Sequence, residues 1–265
     1  MDLAKRAPLT IFLLGTFLWA WALWGYWVFA MPPGGLVVTP AFILCAIIGG
    51  LAPSLTAIAV SWHIAGRPEV RRLIGDLGNW RATPLNYVLA LGIFPLVTLV
   101  SMLLQPLILG PLKPVDPAII AMALIWPIMA ALGEELGWRG FMFPRLIGRF
   151  GLIGAALIVG PIWGIWHLPA DYIALKAYGD LFWLAFLVNG PFVLTAHALV
   201  MAWLWRRSGG NLLLMVLYHF SVTASAMLTP AGGQDWTGLA SAAFTAILLW
   251  IVAIGLWLTP AAARR

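Results

Sequence analysis

Residues 133–146 read GEELGWRGFMFPRL, and they end a run of seventeen residues, 117–133, that contains no charged side chain. Two adjacent glutamates, Glu134 and Glu135, therefore stand at the end of an apolar segment, and Arg139 follows within about one helical turn. An ionisable side chain inside a membrane costs about 2.5–3.5 kcal/mol on insertion scales, so it is usually retained for a function. This stretch predicts a membrane-spanning helix with a polar site in it.

The composition places the chain in a membrane. Of its 265 residues, 63% are hydrophobic and 9% are charged, and the mean hydropathy is +0.97. A soluble globule could not cover its surface with so few polar side chains, which excludes the soluble classes. A helix needs about 20 apolar residues to cross the hydrocarbon. Such stretches occur at about 9–30, 36–60, 84–105, 117–139, 152–170, 182–205, 211–229 and 237–258.

These stretches predict an all-α polytopic membrane protein with about eight transmembrane helices. No repeat, low-complexity tract or soluble appendage interrupts them, so residues 1–265 are interpreted as a single membrane-embedded domain. With an even number of spans, both termini lie on the same side of the membrane.

The basic residues predict which side that is. Thirteen of the fifteen fall on the side of the termini: Lys5, Arg6, Arg67, Arg71, Arg72, Arg81, Arg139, Arg145, Arg149, Arg206, Arg207, Arg264 and Arg265. Lys113 and Lys176 fall on the other side. Lysine and arginine accumulate in cytoplasmic loops, so we expect both termini in the cytoplasm, in a bacterial-type inner membrane. The net charge of +6 then reflects topology and contact with anionic lipids rather than nucleic-acid binding.

The other candidate site residues within the predicted spans are His167, Asn189, His197 and His219. His63 lies at a predicted helix end, where we expect it to be solvated.

The helical rise brings three of the candidates to similar depths. If the fourth helix continues to about Leu146, Glu134 lies about 18 Å from its cytoplasmic end. His167 follows Gly151 by about 24 Å on the returning helix, and His219 lies about 12 Å inside its own span. These depths predict an intramembrane cavity that is open toward the cytoplasm.

A glutamate and two histidines in a poorly hydrated cavity suit hydrolysis. A desolvated carboxylate is a usable general base, and an imidazole can position water or donate to a developing oxyanion. Arg139 can keep Glu135 ionised and fix its rotamer. We therefore interpret Glu134 as the reactive carboxylate and Glu135 as its structural neighbour.

Three motifs resemble those of the CPBP family, also called ABI, which comprises the intramembrane CAAX prenyl endopeptidases and bacteriocin-processing relatives. EELGWR at residues 134–139 matches the EExxxR signature. WGIWH at 163–167 is similar to the second motif, in which an aromatic residue, usually Phe, precedes a histidine by four positions. HFSVT at 219–223 is similar to the third, His-x-x-x-Asn/Asp, with threonine at its last position. The resemblance is best over residues 126–223.

The resemblance implies intramembrane hydrolysis of a peptide or lipidated protein substrate. No cofactor is expected, although the family has been described both with and without a metal. Glu134 with His167 would activate water, and His219 with Thr223 would stabilise the oxyanion. Trp163 stands where the family usually has Phe and would serve for packing. Thr223 stands where the family has Asn or Asp, which leaves catalytic activity open.

Three alternatives remain at this point. Glu134, His167 and His219 form a two-histidine, one-carboxylate set that is compatible with zinc. Intramembrane acids and histidines also build the proton relays of transporters. A catalytically inactive membrane scaffold is the third alternative, to which the threonine at position 223 gives weight.

Overall fold

The computed structural model describes residues 7–30, 38–110, 115, 117–123, 125–229 and 233–259. The regular structure of these residues is entirely helical, which confirms the predicted all-α class. Five of the basic residues used for the predicted orientation lie outside the described residues: Lys5, Arg6, Lys113, Arg264 and Arg265.

The α-helices are α1 (Pro8–Ala30), α2 (Pro40–Gly50), α3 (Ala52–Gly75), α4 (Pro84–Leu109), α5 (Pro117–Met122), α6 (Ile125–Glu135), α7 (Phe143–Trp166), α8 (Leu168–Leu175), α9 (Phe182–Leu187), α10 (Val193–Ser208), α11 (Leu212–Leu228) and α12 (Trp236–Leu258). The π-helical turns Leu136–Met142 and Val188–Phe192 join α6 to α7 and α9 to α10, and 3₁₀ segments occupy Asp76–Gly78 and Lys176–Leu181.

Local sequence rules explain several helix starts. The side chains of Thr39, Asn211 and Asp235 each accept a hydrogen bond from a backbone N–H in the first turn of α2, α11 and α12, respectively. Such caps satisfy N–H groups that have no partner within the helix. The starts of these helices are therefore set by single polar residues in an otherwise apolar chain.

The number of membrane spans differs from the prediction. In the described part of the chain, five helical segments are long and apolar enough to cross a membrane, or six if α2 and α3, bent by 45°, form one span. Helix α11 is apolar but shorter. The predicted count of eight is therefore not confirmed. Two of the five segments, Ile125–Trp166 and Leu168–Ser208, have 42 and 41 residues, about twice the length that one span needs.

The first of these long segments folds back on itself at Gly151. This residue has a φ of 67°, in the left-handed region that glycine adopts without a Cβ clash. The Trp163 indole donates to a carboxylate oxygen of Glu134, although 29 positions separate the two residues. Both halves therefore lie side by side. At 1.5 Å per residue, Glu134 and His167 are separated from this turn by similar lengths of helix, about 25 Å and about 24 Å. The sequence estimate for Glu134 was shorter, about 18 Å, because it was counted from Leu146 rather than from Gly151.

Two glycines set the distance between α7 and the α9–α10 segment. A Cβ added to Gly160 would lie 2.4 Å from Thr195 Cα, and one added to Gly164 would lie 2.4 Å from Pro191 N. Small residues let helix backbones approach closely in membranes, where van der Waals packing drives helix association. This contact holds α7, which carries Trp163, against the rest of the bundle.

We expect Gly164→Ala to destabilise the protein by about 1–3 kcal/mol, because the added methyl group overlaps backbone atoms that cannot rotate away. The measurement is thermal unfolding in detergent. The matched control is Gly92→Ala in α4, where no atom lies within 4 Å of the added Cβ. Alanine there favours the helix, so equal loss of stability in both variants would contradict the close-contact argument.

Candidate active site

Glu134 is held between Trp163 and His167. It lies near the end of α6 and is 4% exposed. Trp163 Nε1 donates to Glu134 Oε2 at 2.6 Å, and His167 Nε2 lies 3.9 Å from Glu134 Oε1. The resemblance implied only packing for Trp163. Tryptophan adds a hydrogen bond because, unlike phenylalanine, it carries an N–H donor.

His167 presents a defined nitrogen to Glu134. The residue follows the last residue of α7, and its Nδ1 is 3.0 Å from the carbonyl oxygen of Trp163, one turn earlier. A carbonyl oxygen can only accept, so we assign the hydrogen of the neutral ring to Nδ1. Nε2 is then the unprotonated nitrogen on the side of Glu134. Two acceptors 3.9 Å apart can share one bridging water molecule.

Glu135 binds Arg139 and His219. Its carboxylate is fully buried, and Oε1 accepts from Arg139 Nη1 at 2.9 Å and lies 2.7 Å from His219 Nδ1. The Arg139 guanidinium also lies over the Trp163 ring, 4.2 Å from its centroid. The sequence predicted the contact of Glu135 with Arg139 but not that with His219. Adjacent residues of a helix point about 100° apart, so Glu134 and Glu135 have different partners.

The residues predicted to be catalytic line one cavity of about 220 Å³. They are Glu134, His167, His219 and Thr223. Much of the remaining wall is apolar and includes Trp24, Trp126 and Met129. Electrostatic interactions are stronger in such a site than in bulk water, because little solvent is present to screen them.

Other polar candidates lie elsewhere. Asn189 and His197 line a second cavity, of about 450 Å³, bounded mainly by α4, α10, α11 and α12. The His197 ring is buried, with Nδ1 3.0 Å from the Tyr218 hydroxyl. His63 is exposed in α3. The structure does not bring these side chains to the cavity that contains Glu134.

Asp171 is a polar neighbour of the site that the sequence analysis overlooked. It lies in α8, one turn after His167, and its backbone N–H donates to the His167 carbonyl at 2.8 Å. The Asp171 carboxylate interacts electrostatically with both His167 and Glu134. The sequence contained a signal for this residue. An ionisable side chain in an apolar segment is usually functional, which is the rule that identified Glu134, and Asp171 also lies one helical turn after His167.

The three residues of the alternative zinc set line the same cavity, but their side chains are not arranged as metal ligands. Among the residues that the structure describes, no group of three His, Cys, Asp or Glu side chains could hold a metal ion. His219 directs Nδ1 to Glu135, whereas Glu134 receives the Trp163 indole. Independence from cofactors stays a prediction.

Comparisons with known proteins agree with the motifs. Residues 116–225 match the family described as type II CAAX prenyl endopeptidase Rce1-like. The CAAX prenyl protease 2 of Methanococcus maripaludis is 27% identical over 97 residues, which make up 36% of this chain and 36% of that relative. The chain thus aligns with about a third of the relative's length. The region that matches the family model contains all four residues predicted to be catalytic, so this part of the chain is similar to the Rce1-like CAAX prenyl endopeptidases.

Proposed function

We propose that this integral membrane protein is an intramembrane endopeptidase. The observation that carries the proposal is the spacing of 3.9 Å between Glu134 Oε1 and His167 Nε2 on the wall of a largely apolar cavity. Two proton acceptors at this spacing can hold one water molecule and direct an oxygen lone pair at a substrate carbonyl.

Glu134 acts as the general base in this mechanism. It takes a proton from the water as the water oxygen bonds to the carbonyl carbon, while His167 accepts the second water hydrogen in a hydrogen bond. The π electrons of the carbonyl move to its oxygen. Collapse of the tetrahedral intermediate breaks the C–N bond, and protonated Glu134 returns its proton to the leaving nitrogen. Trp163 holds the carboxylate in position through Oε2.

His219 and Thr223 stabilise the oxyanion. With Nδ1 of His219 bonded to Glu135, Nε2 can donate only from the doubly protonated ring, whose charge the Glu135 carboxylate compensates. Thr223 lines the cavity one helical turn after His219 and supplies a hydroxyl donor. Donors fixed before the reaction stabilise the developing charge without reorganisation of solvent.

The proposed substrate is a membrane-associated peptide segment, either unmodified or lipidated. The cavity wall formed by Trp24, Trp126 and Met129 suits an apolar side chain or a lipid chain. We further propose a bacterial-type inner membrane as the location, with both termini cytoplasmic, because of the asymmetry of lysine and arginine. The surrounding lipids are the other expected partner.

The direct test is cleavage of labelled peptides by the purified protein in proteoliposomes. The panel pairs unmodified with prenylated peptides of the same sequence, each with and without a chelator. We expect cleavage of at least one peptide, with no effect of the chelator. A loss of cleavage with the chelator would contradict the metal-free mechanism, and no cleavage across the panel would favour the inactive scaffold or the transporter.

Thr223 is where the chain departs from the third motif, and it offers a specific prediction. Thr223→Val is expected to lower kcat by up to about 10²–10³-fold, the range seen when one oxyanion donor is removed, with a smaller effect on KM. Thr223→Asn should keep or raise kcat, because the longer amide also donates.

The two variants also separate the alternatives. If the wild-type protein is inactive and Thr223→Asn makes it active, the natural chain lacks one hydrogen-bond donor to the oxyanion. Equal kcat values for threonine, valine and asparagine would show that position 223 contributes no chemistry and that His219 acts alone.

A further inference from the structure

The start of α4 and the end of α10 border an open cavity of about 420 Å³, separate from the cavity at Glu134. Small-ligand sites commonly have volumes of about 300–1,000 Å³. No acidic side chain lines this cavity. The lining residues are Arg81, Ala82, Thr83, Asn86, Arg207 and Ser208. Two positive charges therefore border a cavity of suitable size, and no lining residue compensates them.

Two contacts position Arg207 at this cavity. Its Nε donates to Asn86 Oδ1 at 2.9 Å, and its guanidinium carbon lies 5.8 Å from the centroid of the Trp203 ring. Among the described residues, Nη1 and Nη2 have no hydrogen-bond partner. Arginine often binds phosphate or carboxylate through two parallel N–H groups. The structure thus orients this guanidinium and leaves most of its donors available.

Asn86 adds a buried donor to the same cavity. The residue lies in α4 and is 5% exposed. Because an arginine N–H can only donate, the amide oxygen faces Arg207 and Nδ2 lies on the other side of the amide. In the described part of the chain, Nδ2 has no hydrogen-bond partner, although the residue lines the cavity. A buried polar group is seldom left unpaired, so this amide indicates an acceptor that the protein does not supply.

Arg81 supplies the second positive charge. Its backbone N–H donates to Asn79 Oδ1 at 3.2 Å, whereas its side chain is exposed and has no ion pair with a described residue. Thr83 precedes the first residue of α4, and its hydroxyl does not cap the helix. The first N–H groups of a helix carry partial positive charge. These groups together favour an anion with several acceptor oxygens, as in a phosphate.

The cavity lies where two apolar helices reach the boundary of the membrane. One candidate span begins at Pro84, next to Thr83, and another ends at Ser208. Trp80, next to Arg81, is 72% exposed, and tryptophan is enriched where membrane and water meet. Phospholipid headgroups lie at this depth, just outside the hydrocarbon. The position therefore favours a lipid over a soluble molecule as the source of the phosphate.

We propose that this cavity binds the phosphate of an anionic phospholipid. Arg207 donates through Nη1 and Nη2 to the phosphate oxygens, Asn86 donates through Nδ2, and Arg81 compensates the remaining charge. A headgroup with net negative charge is preferred to a zwitterionic one, because an added ammonium would lie near two arginines. The site depends neither on peptidase activity nor on which face of the membrane this end of the protein occupies.

Lipid binding is measured on the purified protein in nonionic detergent. Native mass spectrometry during titration gives the Kd of the first bound lipid, for phosphatidylglycerol and for phosphatidylcholine with the same acyl chains. We expect phosphatidylglycerol to bind about 10-fold more tightly or better, the gain from one additional hydrogen bond to a charged group. It should also raise the Tm of the protein, because a ligand that binds only the folded state stabilises it.

Two substitutions test the assigned donors. Arg81→Gln removes an exposed charge, and Asn86→Asp keeps an acceptor for Arg207 Nε while replacing the amide donor with a negative charge. Each should raise the Kd for phosphatidylglycerol by about 10-fold or more and leave that for phosphatidylcholine unchanged. The matched control is Arg149→Gln, which removes an exposed arginine that does not line the cavity. Its Kd values should equal those of the wild type.

Three results would overturn the proposal. Equal affinity for the two lipids would show that the site does not select charge, and equal weakening by Arg81→Gln and Arg149→Gln would show a general attraction to basic residues. Inorganic phosphate or glycerol 3-phosphate that raises the Tm as phosphatidylglycerol does, but not in Arg81→Gln, would assign the site to a soluble phosphate. The Arg81→Gln result decides even if Asn86→Asp is unstable, because the Arg81 side chain pairs with no described residue.

Discussion

Glu134→Gln is expected to lower kcat for peptide cleavage by about 10²–10⁴-fold, the contribution of a positioned general base. Glutamine retains the shape of the side chain, and its amide oxygen can still accept from the Trp163 indole. It cannot take the proton from water. The loss should therefore appear in kcat, whereas thermal unfolding in detergent should change little.

The control for this variant is Asp180→Asn, which removes a carboxylate from an exposed position of the same protein. It should leave kcat unchanged. Wild-type turnover by Glu134→Gln would show that another group accepts the proton. Asp171 would then be the next residue to substitute, since it interacts with both Glu134 and His167.

Glu135→Gln is expected to destabilise the fold by about 3–5 kcal/mol, the cost of removing one partner from a buried ion pair. The fully buried carboxylate accepts from Arg139 Nη1, and the guanidinium itself is only 2% exposed. Without the negative charge, Arg139 would keep an uncompensated charge inside the bundle. Thermal unfolding and the yield of monodisperse protein in detergent measure the effect.

A second substitution distinguishes this cause from a general packing defect. Adding Arg139→Leu to Glu135→Gln removes the uncompensated positive charge of Arg139. Part of the lost stability should then return, because replacement of both members of a buried ion pair is often tolerated. Activity should not return, because His219 still lacks its charged partner. A Glu135→Gln protein as stable as the wild type would contradict the structural role of this pair.

The sequence selected four candidate residues that line one cavity in the structure, but it predicted few of their contacts. Glu134 and His167 were expected at similar depths because the rise of a helix is constant and Gly151 marks the turn between them. The partner of His219 was not predictable in the same way. Which of two adjacent glutamates faces a histidine on another helix depends on the rotation of both helices, and no local pattern encodes that rotation.

The hydrogen bond of Trp163 is a second contact that the sequence did not predict. We interpreted this tryptophan, in place of phenylalanine, as a packing residue because only the size of the side chain was considered. Its hydrogen bond to Glu134 depends on the direction of the indole N–H, and the tight contact of Gly164 with Pro191 places α7 so that the ring reaches the carboxylate.

By itself the sequence determined the membrane setting, the all-helical class and the set of candidate residues, since hydropathy and short motifs depend only on residues that are near each other in the chain. The tertiary structure decided that a 42-residue helical segment doubles back and that Glu135 rather than Glu134 binds His219. Both depend on how helices far apart in sequence are tilted, rotated and packed together, and no local pattern of residues encodes that arrangement.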